Sequence, residues 1–306
     1  MRMLVVGAGS TGGYFGGRLA AADRDVTFLV RERRAAQLRE RGLQIVSASG
    51  DLTLAPKVLT ANQLDSPFDL VLLTVKAYAL DQAILDVTPA IGAETIILPV
   101  LNGMRHMEVL TARFSAHNVA GCICKIASTL DAQGRIVELA HFHELAYGEW
   151  DGRASARMTQ LDAFMRNAGF DARISPVIQR EMWEKWTFLA SLGAINCLLR
   201  GSIGEVARVP GGKDVANALL DEVLSVVRTT GVAPSETFCA SVRAQLTDAQ
   251  STLTSSMFRD LQQGSPIESE QIIGDLIERA RNAHVSTPLL GCAHANLSVY
   301  SARQQG

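Results

Sequence analysis

The sequence predicts an α/β domain on a parallel sheet, followed by an all-helical domain. Short, nearly continuous apolar runs alternate with amphipathic stretches over the first half. Beyond about residue 174, helical periodicity continues with few strand candidates. A glycine-rich turn separates the first apolar run from the first amphipathic stretch.

Met3–Val6 is a short strand, Thr11–Ala22 a helix rich in small residues, Asp25–Val30 a second strand and Arg33–Arg41 a helix. Leu70–Val75 is almost wholly hydrophobic, as expected of a strand covered on both faces. Asp81–Val87 reads as helix, and Thr95–Leu101 as a strand ending at the turn pair Asn102-Gly103. Val119–Leu130, Arg135–Leu139 and Leu145–Gly148 read as strands, with Asp131-Ala132-Gln133-Gly134 as a hairpin turn. Ser155–Gly169 reads as a helix closed by its C-terminal glycine. Glu181–Leu199, Asp214–Thr230, Pro234–Leu246, Ser269–Ala283 and Pro288–Ser301 are helical, and Ile272, Ile273, Leu276, Ile277 and Ala280 form one apolar stripe. The change of character falls at Ser175-Pro176, which predicts domains over residues 1–174 and 175–306.

Composition excludes several classes. Of 306 residues, 47% are hydrophobic and 20% charged, and the net charge of −2 gives no global field for nucleic acid or an anionic membrane. No apolar run is long enough for a signal peptide or a spanning helix, so the cytoplasm is the expected compartment. The five cysteines (Cys122, Cys124, Cys197, Cys239, Cys292) form no CxxC pair and are expected to be reduced and mostly buried. Cys122 with Cys124, and His141 with His143, each share a strand face, but their spacing matches no closed zinc signature; core cysteines and solvated histidines are expected, and no metal. Trp183 and Trp186 are expected to pack rather than to stack on bases. The apolar stripes of the helical half suit either an internal core or a homodimer interface.

Gly7-Ala8-Gly9-Ser10-Thr11-Gly12 fits G-x-G-x-x-G between a strand and a helix, with a second strand following. The first glycine permits the turn, the second lets backbone approach a pyrophosphate, and the third lets helix and strand pack closely. The helix then aims its free N–H groups and dipole at the phosphates. These features predict a Rossmann unit with a dinucleotide held at Gly7, Gly9, Ser10, Thr11 and Gly12. At the end of the second strand, where an acidic residue would bind ribose hydroxyls, the chain reads Val30-Arg31-Glu32-Arg33-Arg34. Arg31 offers a forked, charged contact to a 2′-phosphate, with Arg33 or Arg34 available to add to it. The pattern favours NADP(H); Glu32 leaves NAD open, and the arginines otherwise solvate a surface helix.

Lys76, in Thr74-Val75-Lys76-Ala77, and Asn102, in Leu101-Asn102-Gly103-Met104, follow predicted strands, so both are expected at the carboxyl edge where open α/β sheets bind ligands. Their alternative role is in the turns themselves. Lys185, in Glu181-Met182-Trp183-Glu184-Lys185-Trp186, leaves a helix face continued by Phe188, Leu189 and Leu192; such a lysine is partly desolvated and suits proton transfer, or else snorkels to the surface. Ser255 or Ser256 can cap a helix, and Glu268 can begin one.

In chain order, Gly7–Gly12, Thr74–Ala77, Leu101–Met104, Trp183–Trp186, Ser255–Asp260 and Pro266-Ile267-Glu268 resemble the ketopantoate reductase (2-dehydropantoate 2-reductase) family over nearly the whole chain. The resemblance implies an NADPH-binding Rossmann domain and a C-terminal helical domain like that of 6-phosphogluconate dehydrogenase. It implies reduction of ketopantoate to pantoate, a step of pantothenate biosynthesis, or of a related, less polar 2-oxo acid. By motif, Lys185 is similar to the family's general acid and Glu268 to the carboxylate that orients substrate. Asn102 and Ser256 resemble substrate-contacting groups, Asp260 a support for the serine segment, and Lys76 the lysine at the cofactor–substrate edge. The chain departs from the pattern at Leu189, Gly193 and Leu253, where members carry asparagine. Asn196 lies about 16 Å along the helix from Lys185 and does not replace them. Two other functions fit the same architecture: a 3-hydroxyacid or opine-type dehydrogenase, and a non-catalytic NADP(H)-binding protein.

Overall fold

Parallel pairing of short apolar strands sets the first layer of the computed structural model, which describes residues 1–305. In chain order the elements are β1 (Arg2–Val6), α1 (Ser10–Ala21), β2 (Asp25–Leu29), α2 (Glu32–Arg41), β3 (Leu43–Val46), β4 (Leu52–Leu54), β5 (Lys57–Leu59), β6 (Leu70–Leu73), α3 (Leu80–Val87), β7 (Ile96–Pro99) and α4 (Arg105–Arg113). The sheet order is β5-β2-β1-β6-β7, with Arg2 opposite Asp25 and Met3 opposite Leu70. Every residue of β6 and β7 is buried, which explains why these strands are continuous in hydrophobicity rather than alternating.

The chain continues with β8 (Gly121–Leu130), β9 (Ile136–Gly148), α5 (Ala156–Met165) and β10 (Asp171–Ile174), and these three strands join β3 and β4 in a second sheet. Its order is β10-β9-β3-β4, with β8 paired antiparallel to β9. The two strands expected at 135–139 and 145–148 are one, because β8 pairs along β9 past a register shift between Ile126 and Ser128. The strands β3, β4, β5 and β10 run to only three or four residues and are partly exposed, which hides them from a hydrophobic pattern. Helix α1 lies against both sheets. A Cβ at Gly16 would stand 2.7 Å from the Phe28 ring of β2, and one at Gly17 would stand 2.6 Å from Leu43 of β3. The small residues on α1 are what allow that approach.

Helix α5 begins as expected, with Ser155 accepting from Met158 N at 3.2 Å. It ends at Met165, four residues short of Gly169. Arg166 N closes the last turn on Asp162 O, and Asn167 takes the left-handed conformation (φ 60°) before Gly169 does.

The helical half comprises α6 (Ile178–Leu199), α7 (Ile203–Arg208), α8 (Gly212–Thr230), α9 (Glu236–Leu246), α10 (Ser256–Gln262), α11 (Asp275–Asn282) and α12 (Pro288–Gln305). Helix α8 is packed by α7, α9, α11 and α12 around buried Leu219, Leu220, Val223, Leu224, Val226 and Val227. The helix expected over 269–283 is α11 preceded by a π-helical turn, Glu270–Gly274. The chain divides into two compact units: Met1–Leu101 with His106–Gln179, and Asn102–Arg105 with the chain from Arg180 onward. The division falls after Gln179 rather than Ile174 and moves the Asn102 turn into the helical unit. Among the described residues no helix is long and apolar enough to cross a membrane.

Candidate active site

In the first unit, four parallel strands end in a row: Val6, Leu29, Leu73 and Pro99. The residues just beyond those ends carry the predicted dinucleotide contacts. Gly7 has φ +97°, a conformation natural to glycine. A Cβ at Gly12 would sit 2.2 Å from both Gly7 O and Thr74 Oγ1, so only glycine permits this helix–strand contact. Gly9 is the residue before α1, and a Cβ there would meet nothing within 4 Å. Ser10 and Thr11 open α1, whose first turn has no side-chain cap. That helix therefore presents unsatisfied N–H groups beside open space, as an anion-binding terminus requires.

Two side chains hold this turn. Thr74, directly after β6, directs its hydroxyl at Val6 O (2.8 Å) and Gly7 O (3.0 Å). Arg34 of α2 donates from Nε to Ala8 O at 3.2 Å. Burial depresses the pKa of Arg34, as expected of a guanidinium held against backbone. Of the two arginines available to add to an Arg31 phosphate contact, Arg34 has two of its nitrogens bonded to protein oxygens. Arg31 and Arg33 are exposed at the start of α2. Lys76 precedes a single 3₁₀ turn, Ala77–Ala79, at the edge of the same sheet.

His141 is exposed, but His143 is not the solvated side chain expected. Its Nδ1 lies 2.9 Å from the hydroxyl of buried Tyr14 and 2.7 Å from Glu138 Oε1, and the Ser47 hydroxyl donates to the other Glu138 oxygen. Cys122 and Cys124, on β8 opposite Tyr147 and Leu145 of β9, are buried in the core of this unit.

The second unit holds Asn102, Lys185, Ser256, Asp260 and Glu268. Lys185 is half-buried on α6, beside buried Trp183 and Trp186, whose ring centroids are 5.2 Å apart. Trp186 Nε1 donates to Ile272 O at 2.9 Å, in the π-helical turn that begins two residues after buried Glu268. From the same turn, Gln271 Nε2 donates to Asn102 O at 3.1 Å. The turn thus ties the lysine helix, the glutamate segment and the asparagine turn together. Thr74 lies within a motif read for its lysine, Gln271 lies in none, and a π-helical turn has no residue pattern by which to find it.

Ser255, buried, caps α10 by accepting from Phe258 N at 3.1 Å, leaving Ser256 exposed as the first helical residue. Asp260 is half-buried one turn later. The Asn196 side chain is wholly engaged, accepting from Ser255 N and donating to Gly201 O, both at 2.8 Å. Leu189 and Leu253 are half-buried, and a Cβ on Gly193 would stand 2.6 Å from the Met257 methyl.

Residues 3–152 match the family model of ketopantoate reductase PanE/ApbA, and residues 177–301 match that of the ketopantoate reductase PanE/ApbA C terminal. The chain belongs to the ketopantoate reductase family. Within it, the uncharacterized oxidoreductase YkpB of Bacillus subtilis is 37% identical, over 99% of this chain and 100% of its own. The crystal structure of 2-dehydropantoate 2-reductase from Geobacter metallireducens superposes with a TM-score of 0.87 at 25% identity, covering 98% of this chain and 99% of that one. D-mandelate dehydrogenase, solved with NADH and anilino(oxo)acetate, shares the fold at TM-score 0.88 and 18% identity over the full length of both chains. This ketopantoate reductase-family protein is therefore an oxidoreductase acting on CH–OH donors.

Proposed function

We propose that the protein reduces a 2-oxo acid to a 2-hydroxy acid with NADPH, the substrate being ketopantoate or a less polar relative. The observation that carries this is the open, uncapped N-terminus of α1 at Gly9, with exposed Arg31 at the end of the neighbouring strand. Gly7, Gly9, Ser10, Thr11 and Gly12 hold the pyrophosphate, Arg31 the 2′-phosphate, and Lys76 and Asn102 the nicotinamide side. A reduced nicotinamide bound there would supply the hydride that the carbonyl carbon takes up. As alkoxide charge develops on the carbonyl oxygen, the Lys185 ammonium stabilises it and donates a proton from Nζ. Buried Glu268 orients the substrate and balances the lysine charge; Asn102 and Ser256 hydrogen-bond the substrate, and Asp260 supports the serine segment. Leu189 lies one turn beyond Lys185, and Met257 covers Gly193 two turns beyond, which supports a substrate with fewer hydroxyl groups than ketopantoate.

Steady-state NADPH oxidation with ketopantoate and a panel of 2-oxo acids tests this. At least one acid turns over, and Lys185→Ala lowers kcat on it by about 10²–10⁴-fold while the melting temperature holds. Absence of turnover on every acid, or full activity in Lys185→Ala, overturns the assignment.

A further inference from the structure

The strand hairpin β8–β9 ends in a tight turn beside the glycine turn, and α2 bridges the two. Arg34 Nη1 donates to Gly134 O (3.0 Å) and Gln37 Oε1 (2.6 Å), while its Nε donates to Ala8 O (3.2 Å). Gln37 Nε2 donates to Gln133 O at 2.9 Å. The hairpin turn is itself well tied: Asp131 Oδ1 accepts from Gln133 N and Arg135 N, and Arg135 Nε reaches Asp131 Oδ2 at 2.7 Å. Gly134 has φ +78°, which strains any other residue, and a Cβ there would lie 2.3 Å from Gln37 Nε2 and displace it. A second, apolar contact joins the same two regions, because a Cβ on Gly13 would lie 2.4 Å from Ile136 at the start of β9.

The consequence follows from peptide geometry. In a planar trans peptide the C=O and N–H point in opposite directions. Anchoring Ala8 O on Arg34 therefore aims Gly9 N–H away from the arginine. Thr74 anchors the preceding carbonyl, Gly7 O, in the same way. The amides on which a pyrophosphate would dock are thus oriented before it arrives.

We propose that Arg34, braced by Gln37 and the 131–135 hairpin turn, is a positioning residue that holds the glycine turn ready for the dinucleotide and does not itself read the 2′-phosphate. It rests on the dinucleotide site proposed above. Phosphate discrimination then belongs to Arg31, and the second sheet contributes to cofactor affinity through its hairpin.

Calorimetric dissociation constants for NADPH and NADH distinguish these roles. Arg34→Gln weakens both dinucleotides by the same factor, about five- to tenfold, so their ratio is unchanged. KM for NADPH rises while kcat at saturating cofactor stays within about twofold. Arg31→Ala lowers NADPH affinity alone. Gly134→Ala, strained at a positive φ and crowding Gln37 Nε2 and Arg34 Nη1, loosens the brace without removing charge, reproduces the parallel loss and carries the test if Arg34→Gln does not fold. A loss confined to NADPH in Arg34→Gln makes it a phosphate ligand and overturns the proposal, as does unchanged binding of both in either variant. If the unmodified protein binds neither dinucleotide, the cofactor assignment itself fails, and this is seen before any variant is made.

Discussion

Leu189 and Gly193 follow Lys185 by one and two helical turns on α6, so each addresses the same face as the lysine. Leu189 is half-buried, and Leu189→Asn is expected to raise kcat/KM for ketopantoate relative to an apolar 2-oxo acid of similar size, with a melting point within a few degrees. Gly193→Asn should behave differently. Its side chain meets the Met257 methyl, so overpacking costs about 1–3 kcal/mol, and adding Met257→Ala should recover part of the lost melting temperature. Residue identities of this kind were legible in the sequence, but their surroundings were not. Asn196 was too far along the helix to replace the missing amides, but its sequence position said nothing of its partners, Ser255 N and Gly201 O, on which both of its polar atoms are spent. Arg34 was one of two arginines available beside Arg31, and its guanidinium is bonded to backbone oxygens 26 and 100 residues away. No local pattern encodes partners at such separations.

Elements are joined by polar contacts as well as apolar ones. The end of β9 is clipped to the start of α5 through Glu149, whose carboxylate accepts from Arg157 Nε at 2.7 Å and from the Ser155 hydroxyl at 2.6 Å. The Arg157 hydrogen bonds, against the opposing effect of burial, hold the Glu149 carboxyl below the usual carboxylate range. Folded Glu149 therefore binds its proton more weakly than unfolded Glu149. The stabilisation is present above the ordinary carboxylate pKa and is lost as pH falls through the lowered one. Arg157→Met should lower stability by about 3 kcal/mol at pH 7, and its urea midpoint should begin to approach that of the unmodified protein only as pH falls below the ordinary carboxylate pKa of about 4, closing further as the pH passes through the lowered one. Element type was readable wherever hydrophobic runs were long, as in β1, β6 and α8. It failed for β3, β4 and β5, whose few residues make too little periodicity, and at the end of α5, which stops at Met165 because Asn167 takes a left-handed conformation two residues ahead of Gly169.

For the molecule as a whole, a dinucleotide that binds only the folded chain must raise its melting temperature by mass action. NADPH at about 100 times its dissociation constant should add about 2.7 kcal/mol, an upward shift of a few degrees. NADH at the same concentration should shift it less, and a scan showing an equal shift would remove the case for Arg31 reading a 2′-phosphate. The order of the two halves, the glycine turn, the lysine helix and the family itself were determined by the sequence alone. Backbone freedom, strand burial and helical spacing are local properties, written in residues that lie near one another in the chain. Tertiary structure alone decided that α1 is wedged between two sheets and that Thr74 and Arg34 set the carbonyls of the glycine turn. It alone decided that Gln271 and Trp186 tie the Asn102 turn and the Lys185 helix to one π-helical turn. Each of these depends on which distant segments the buried core brings within hydrogen-bond reach, and that follows from packing the whole chain rather than from any stretch of it.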